Sequence, residues 1–261
     1  MPDGQPEVLV ALQGRPQLAR VNLLTDAVEV AYPDGEVLSL AAGGELLFAV
    51  VEPPLGMKQI SAIDLVGLET IAVLADTLHD RIAFSVRDAR LYSARSATSP
   101  ASLTSYQVTG NIPLLDPLRT RIDLGSNARD LAVSADGAHI VLVCGSGNGS
   151  PPYELFDLDA QLDARADLWA VGAYPRAAAF TPDSRHLLVG RDGSPDELVL
   201  FSVGGHDRLQ AWTVADASCS YQRLQGVAVS NDGATVYAHL DCGFDRQAGR
   251  LFWALLPPLT E

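Results

Sequence analysis

Apolar residues fall along this chain in short blocks, five or so positions long, separated by polar turns. Residues 129–143, RDLAVSADGAHIVLV, show the pattern most fully: an apolar run, a Ser-x-Asp-Gly turn, and a second apolar run. The same pattern returns as RAAAFTPDSRHLLVG at 176–190 and as QGVAVSNDGATVYAH at 225–239. Each run is too short for an ordinary helix and is rich in Val, Ile and Leu, so each pair predicts two β-strands joined by a hairpin turn. Asp136-Gly137 and Asp232-Gly233 supply residues that tolerate the left-handed backbone of such a turn. Ser134, Thr181 and Ser230 stand two positions before the Asp, where a hydroxyl can bond the turn backbone. Asp183-Ser184 lacks the glycine, so that copy is expected to carry strain or to adopt another turn. The runs are apolar at consecutive positions, as in HIVLV, which predicts strands covered on both faces.

The turn aspartate serves as a ruler. Asp136 to Asp183 is 47 residues and Asp183 to Asp232 is 49. Stepping back from Asp136 by 49, 45 and 39 residues lands on Arg87, Ala42 and Asp3, each beside a degenerate copy. Between hairpins there is room for two further strands, such as YELFDLD with DLWAVGA and LVLFSV with AWTVA. A spacing of ~40–50 residues with four strands per unit predicts an all-β fold, a β-propeller of about six blades of mostly four antiparallel strands. The turns near 3, 42, 87, 136, 183 and 232 place residues 1–261 in a single propeller domain. The first unit begins at its hairpin turn, without strand A, and the last ends after strand C. Two three-stranded terminal blades, or a domain excised from a longer chain, account for this equally well.

The hairpins resemble those of YVTN-type β-propeller repeat proteins, with an "AVSPDG…LYVA"-like pattern. The matching residues are 132–137 with 140–143, 179–184 with 187–189, and 228–233 with 236–238. The literal YVTN tetrad is absent. The resemblance implies a bacterial surface or periplasmic propeller, a family that includes binding proteins and some members similar to lactonases.

Composition narrows the partners. A net charge of −14 argues against a general nucleic-acid or anionic-membrane surface. No apolar run approaches the ~18 residues of a membrane span, which argues against membrane insertion, and no leader pattern opens the chain. Lys58 is the single lysine beside 17 arginines, a bias read as genomic. Cys219 in a D–A connection and Cys242 at the next B–C loop fall on one propeller face. They are expected either to pair as a disulfide in an oxidising compartment or to stay reduced. Cys144 is expected to pack as a small apolar residue.

Candidate chemistry is sparse. The B–C loops, at 52–58, 96–102, 145–152, 191–197 and 241–249, are irregular and share one face, where recognition concentrates on a rigid scaffold. Arg81, Arg129, Arg176 and Arg223 recur just before strand A, and Gln225 takes the register of Arg129 and Arg176 in the last unit. Strand A lines a propeller's channel, so these side chains either ring its mouth and hold a small anionic ligand, or pair with acids such as Asp80, Asp123 or Asp130. The acidic series Asp157, Asp159, Asp163 and Asp167 fails the calcium-loop pattern, since Leu162 stands where glycine is required. His79, His139, His186, His206 and His239 show no metal spacing, and there is no nucleophile elbow or phosphate loop. No metal or cofactor is implied. The reading is a non-enzymatic binding or scaffold propeller, extracytoplasmic, that takes a protein partner or small ligand on its B–C loop face. The alternative is a lactonase-like or other hydrolytic propeller with a site at the channel mouth.

Overall fold

A computed structural model describes residues 7–11, 14–96, 98–110, 113–125, 127–145, 153–159, 165–172, 174–192, 197–214, 222–242 and 248–256. Among them there are strands and turns and no helix. The hydrogen-bond ladders give six small antiparallel sheets, each joining strands that are consecutive in the chain, which is a β-propeller arrangement.

The chain groups into two compact units, 1–96 with 102–121, and 97–101 with 122–261. The first unit holds β1 (Glu7–Ala11), β2 (Leu18–Asn22) and β3 (Val28–Ala31) in one sheet. A second sheet is β4 (Glu36–Gly43), β5 (Leu46–Glu52), β6 (Lys58–Asp64) and β7 (Thr70–Thr77). The third is β8 (Arg81–Ser85), β9 (Arg90–Arg95), β10 (Ala101–Thr109) and β11 (Leu114–Leu124), and its outer strands run into the unit boundary. The second unit holds β12 (Ala128–Val133), β13 (His139–Gly145), β14 (Tyr153–Asp159) and β15 (Arg165–Ala170). It continues with β16 (Pro175–Phe180), β17 (His186–Arg191), β18 (Glu197–Ser202) and β19 (Arg208–Thr213). Its last sheet is β20 (Gln222–Val229), β21 (Thr235–Cys242) and β22 (Ala248–Leu255). Among the described residues the first and last sheets therefore have three strands, and residues 1–6, with the turn expected at Asp3, lie outside the description.

Apolar side chains on both faces of each strand follow from packing sheet on sheet. In β17, Leu187 and Val189 join Ala132, Val141 and Val143 of the preceding sheet. Leu188, between them, joins Leu224, Val236, Ala238 and Leu240 of the following one. The first unit repeats this: Leu9 and Ala11 meet Leu47, Ala49 and Val51, while Phe48 and Val50 meet Ile82 and Leu91. Trp169 fills between sheets edge-on to Phe201, and Cys144 is buried as an apolar residue. Trp253, also in a strand, is by contrast largely exposed.

The three clear hairpins share one hydrogen-bond set. The Ser134 hydroxyl donates to Asp136 Oδ1 (2.6 Å) and accepts from His139 N (2.9 Å), and Ala138 N donates to Asp136 Oδ1 (3.0 Å). Thr181 with Asp183, and Ser230 with Asp232, repeat every one of these bonds. Ser184 adopts the same turn as Gly137 and Gly233, at φ 61° against 68° and 70°. A serine there costs left-handed strain, and its hydroxyl accepts from Asp136 N of the preceding sheet at 2.9 Å. The turn between β4 and β5 falls at Gly44 (φ 70°), just past the expected Ala42-Gly43, because Gly43 still pairs with Leu46 in a tighter hairpin.

Candidate functional site

Three of the residues singled out before strand A, Arg129, Arg176 and Gln225, have a shared backbone cause, whereas Arg81 and Arg223 pair in regular register. Where β12 pairs with β13 the register slips at Arg129, where β16 pairs with β17 it slips at Arg176, and where β20 pairs with β21 it slips at Gln225. Each is the extra residue of a β-bulge, a device that re-aims a side chain and bends its strand. Leu38 is the bulged residue between β4 and β5.

The re-aimed side chain reaches the far end of its own hairpin. Arg176 Nε pairs with Asp192 Oδ2, just beyond β17. Gln225 Nε2 donates to Asp241 Oδ2 at 2.7 Å, near the end of β21. In the third sheet Asp80 stands before β8, and it accepts from Ser96 N (2.7 Å) and from the Ser96 hydroxyl. All three ties span 16 residues. They clamp the root of a B–C loop to the start of strand A. Asp192 also accepts from Leu224 N (3.0 Å), and Asp130 Oδ2 accepts from Ala178 N (3.0 Å), so the acids tie neighbouring sheets as well. Ser39 does the same for Ile82 N at 3.1 Å.

Arg81 is the first residue of β8 and donates to the carbonyl oxygens of Asp80 (2.7 Å) and Leu38 (3.4 Å). Arg129 also has a polar partner, and Arg223 lies in β20. Thus Arg176 and Gln225 spend their polar ends on Asp192 and Asp241. The sequence offered Asp80, Asp123 and Asp130 as acid partners. The acid used by Arg176 lies across the hairpin, a relation visible only as an i, i+16 spacing. Cys219 lies outside the described residues, and only the backbone of Cys242 is described, as the end of β21.

Sequence reasoning missed a polar cluster at the B–C loop end of the first unit. Lys58 Nζ is 3.6 Å from Asp80 Oδ2. Beside it, His79 Nδ1 lies 3.0 Å from the Ser93 hydroxyl and Nε2 lies 3.3 Å from that of Ser102. Burial, opposed by the Asp80 charge, lowers the His79 pKa, so the ring is neutral at pH 7. A neutral ring has one N–H, so it donates to one of these hydroxyls and accepts from the other. Nδ1 faces a hydroxyl where a catalytic triad has a carboxylate, so Ser102 has no such activation. From the same edge the loop between β5 and β6 carries Leu55, 93% exposed, and Met57, 52% exposed.

Comparison with solved structures agrees with the fold. The chain is similar to a Kuenenia stuttgartiensis hydrazine synthase chain (TM-score 0.67, 15% identity) over 92% of this chain and 74% of that one. It is similar to a chain of a mitotic checkpoint complex (TM-score 0.62, 13% identity) over 97% of this chain and 76% of that one. No protein-family model matches the chain, and no curated protein matches it in sequence. At these identities the likeness is one of architecture, and the molecule is a β-propeller built of small antiparallel sheets.

Proposed function

We infer that this chain is a non-enzymatic binding propeller of the YVTN type, working outside the cytoplasm, that holds a protein partner on the face bearing its B–C loops. The observation that carries the reading is the loop between β5 and β6. It presents Leu55 and Met57 to solvent on a scaffold whose neighbouring loop root is fixed by the Asp80–Ser96 tie. Exposed apolar side chains on rigid supports are the usual anchors of protein interfaces. A protein partner is favoured over a small anion because Arg176 is already ion-paired and Gln225 already bonded. The mitotic checkpoint complex is an assembly containing such a fold, which gives a precedent for a propeller working within one.

The test places a photo-reactive amino acid at Leu55 or at Glu45, exposed positions at opposite ends of the second sheet. Irradiation in the native host is expected to join one recurrent protein to the Leu55 position and not to the Glu45 position. Equal capture at both, or capture at Glu45 alone, would overturn the loop-face reading. The compartment is tested separately by alkylating the thiols of the native protein before and after reduction. A gain of two modified cysteines, Cys219 and Cys242, is expected, and no gain would count against an oxidising compartment.

A further inference from the structure

The second sheet is flanked on both faces inside its own unit, by β1–β3 on one side and by β8–β10 on the other. Its B–C loop end is therefore built from residues of that unit: the β5–β6 loop, the connection from β3 into β4, and the connection from β7 into β8. A large apolar side chain stands out from each. Leu55 and Met57 are on the loop, Tyr32 on the entering connection is 71% exposed, and Leu78 on the leaving one is 60% exposed. Backbone contacts hold the three segments together. Gly35 is pressed so closely on the loop root that a Cβ there would lie 2.3 Å from the Glu52 carbonyl oxygen. On the other side Lys58 reaches Asp80, and the Thr77 hydroxyl accepts from His79 N at 3.0 Å, which fixes the turn that carries Leu78. Pro53 and Pro54 restrict the chain just before Leu55. Apolar groups on backbone that is already ordered lose little entropy when something docks on them.

The fully exposed charge in these three segments has one sign. Asp34, Glu52 and Asp76 are exposed, each two or three positions from Tyr32, Leu55 or Leu78. Lys58 is spent on Asp80, and Arg81 donates to two backbone carbonyl oxygens. An exposed arginine, Arg15, lies in a different connection, between β1 and β2. The whole chain, at −14, has the same sign as the three acids. A second copy, a nucleic acid or an anionic bilayer is repelled by such a surface, whereas a cationic chain is drawn to it.

We propose that the B–C loop end of the second sheet holds a basic polypeptide segment, one that carries a large apolar side chain among lysines or arginines. This rests on the reading that the loop face binds a protein, and adds the chemistry of the partner. The apolar side chain packs on Leu55 and Met57, with Tyr32 and Leu78 at the sides, and the basic residues face Asp34, Glu52 and Asp76. Apolar contact supplies most of the affinity. The acids select the partner's charge and make binding sensitive to salt.

The experiment selects from a random peptide library displayed on phage, with the full chain as bait. The recovered sequences are made as synthetic peptides and titrated by fluorescence anisotropy. Besides the wild type, the titrations use Leu55→Ser, a charge-neutralised variant (Asp34→Asn, Glu52→Gln, Asp76→Asn), and a control at the opposite end of the first two sheets (Leu24→Ser, Val66→Ser), where both residues are exposed. Circular dichroism checks that each is folded. The recovered peptides are expected to be net positive and to carry an aromatic or long aliphatic residue. Leu55→Ser is expected to bind them about thirtyfold more weakly, the loss for a central interface residue. The charge-neutralised variant is expected to bind about tenfold more weakly at low salt, from three exposed charge pairs, with the difference shrinking at high salt. The control is expected to bind as the wild type does. Recovery of no peptide, or of neutral or acidic ones, would overturn the proposal, as would basic peptides that bind the Leu55 or the charge-neutralised variant as tightly as the wild type. Neutral peptides that still depend on Leu55 would overturn the basic partner and leave the loop-face reading standing. That reading is judged separately, by cross-linking at Leu55 against Glu45.

Discussion

Ser184 gives the sharpest test of the hairpin physics. It occupies the left-handed position of its turn at φ 61°, where the two sister turns have Gly137 and Gly233. A side chain in that conformation costs about 1 kcal/mol or a little more. Against this, the buried Ser184 hydroxyl accepts from Asp136 N at 2.9 Å and ties two sheets together, a bond worth about 1 kcal/mol. Ser184→Ala keeps the strain and loses the bond, so it is expected to destabilise by about 1–2 kcal/mol. Ser184→Gly loses the bond and also loses the strain, so it is expected to fall within about 0.5 kcal/mol of the wild type. The order is informative because, where the backbone is ordinary, alanine is the more stabilising of the two residues. Equilibrium unfolding in urea, with the midpoint and slope fitted for all three proteins, reads the difference. An alanine variant as stable as the glycine variant would refute the strain-and-bond account of this turn.

Other expectations follow from the same contacts. Asp192→Ala removes the partner of Arg176 and an acceptor for Leu224 N, and is expected to cost about 2–3 kcal/mol by denaturant titration, with Asp192→Asn costing less. Gly190→Ala would place a methyl 2.4 Å from Leu224 Cδ2 and 2.9 Å from Val227 Cγ1, so overpacking is expected to lower stability by about 1–3 kcal/mol in the same assay. Burial lowers the pKa of His79 and of His239 below the ordinary value of 6.5, with Asp80 and Asp241 opposing it. The unfolded chain therefore binds protons first, and stability is full above pH 6.5 and falls as pH drops below it. Thermal melts between pH 7.5 and 5.5 are expected to show that loss, and a His79→Gln, His239→Gln double variant is expected to flatten it.

Much of the fold was legible because a propeller repeats its physics at a fixed interval. The Ser-x-Asp-Gly turns lie where the sequence placed them, and β14 has the bounds that its apolar block predicted. Where the turn chemistry decayed, as near Ala42, the hairpin position shifted because strand pairing, rather than the Asp-Gly pair, set its end. Of the recurrent arginines, Arg129 and Arg176 mark a real structural position, the bulge, and Arg81 and Arg223 do not, and the partner of Arg176 did not show in the sequence. Asp192 meets Arg176 only because the hairpin folds residues 16 apart onto one edge. The His79 cluster was hidden for a similar reason, since Ser93 and Ser102 come from two other strands. The exposure of Trp253 was not readable either, because a buried and an open sheet face have the same strand pattern.

Residue-resolved amide hydrogen exchange on the intact chain tests the repeat architecture most directly. In each four-stranded sheet the second strand is paired on both sides and covered on both faces. Protection is therefore expected to peak in β5, β9, β13 and β17, around Val50, Leu91, Leu142 and Leu188, and to drop in the edge strands β7 and β19. Protection that peaks in the edge strands, or shows no recurrence from sheet to sheet, would contradict a propeller built from these hairpins.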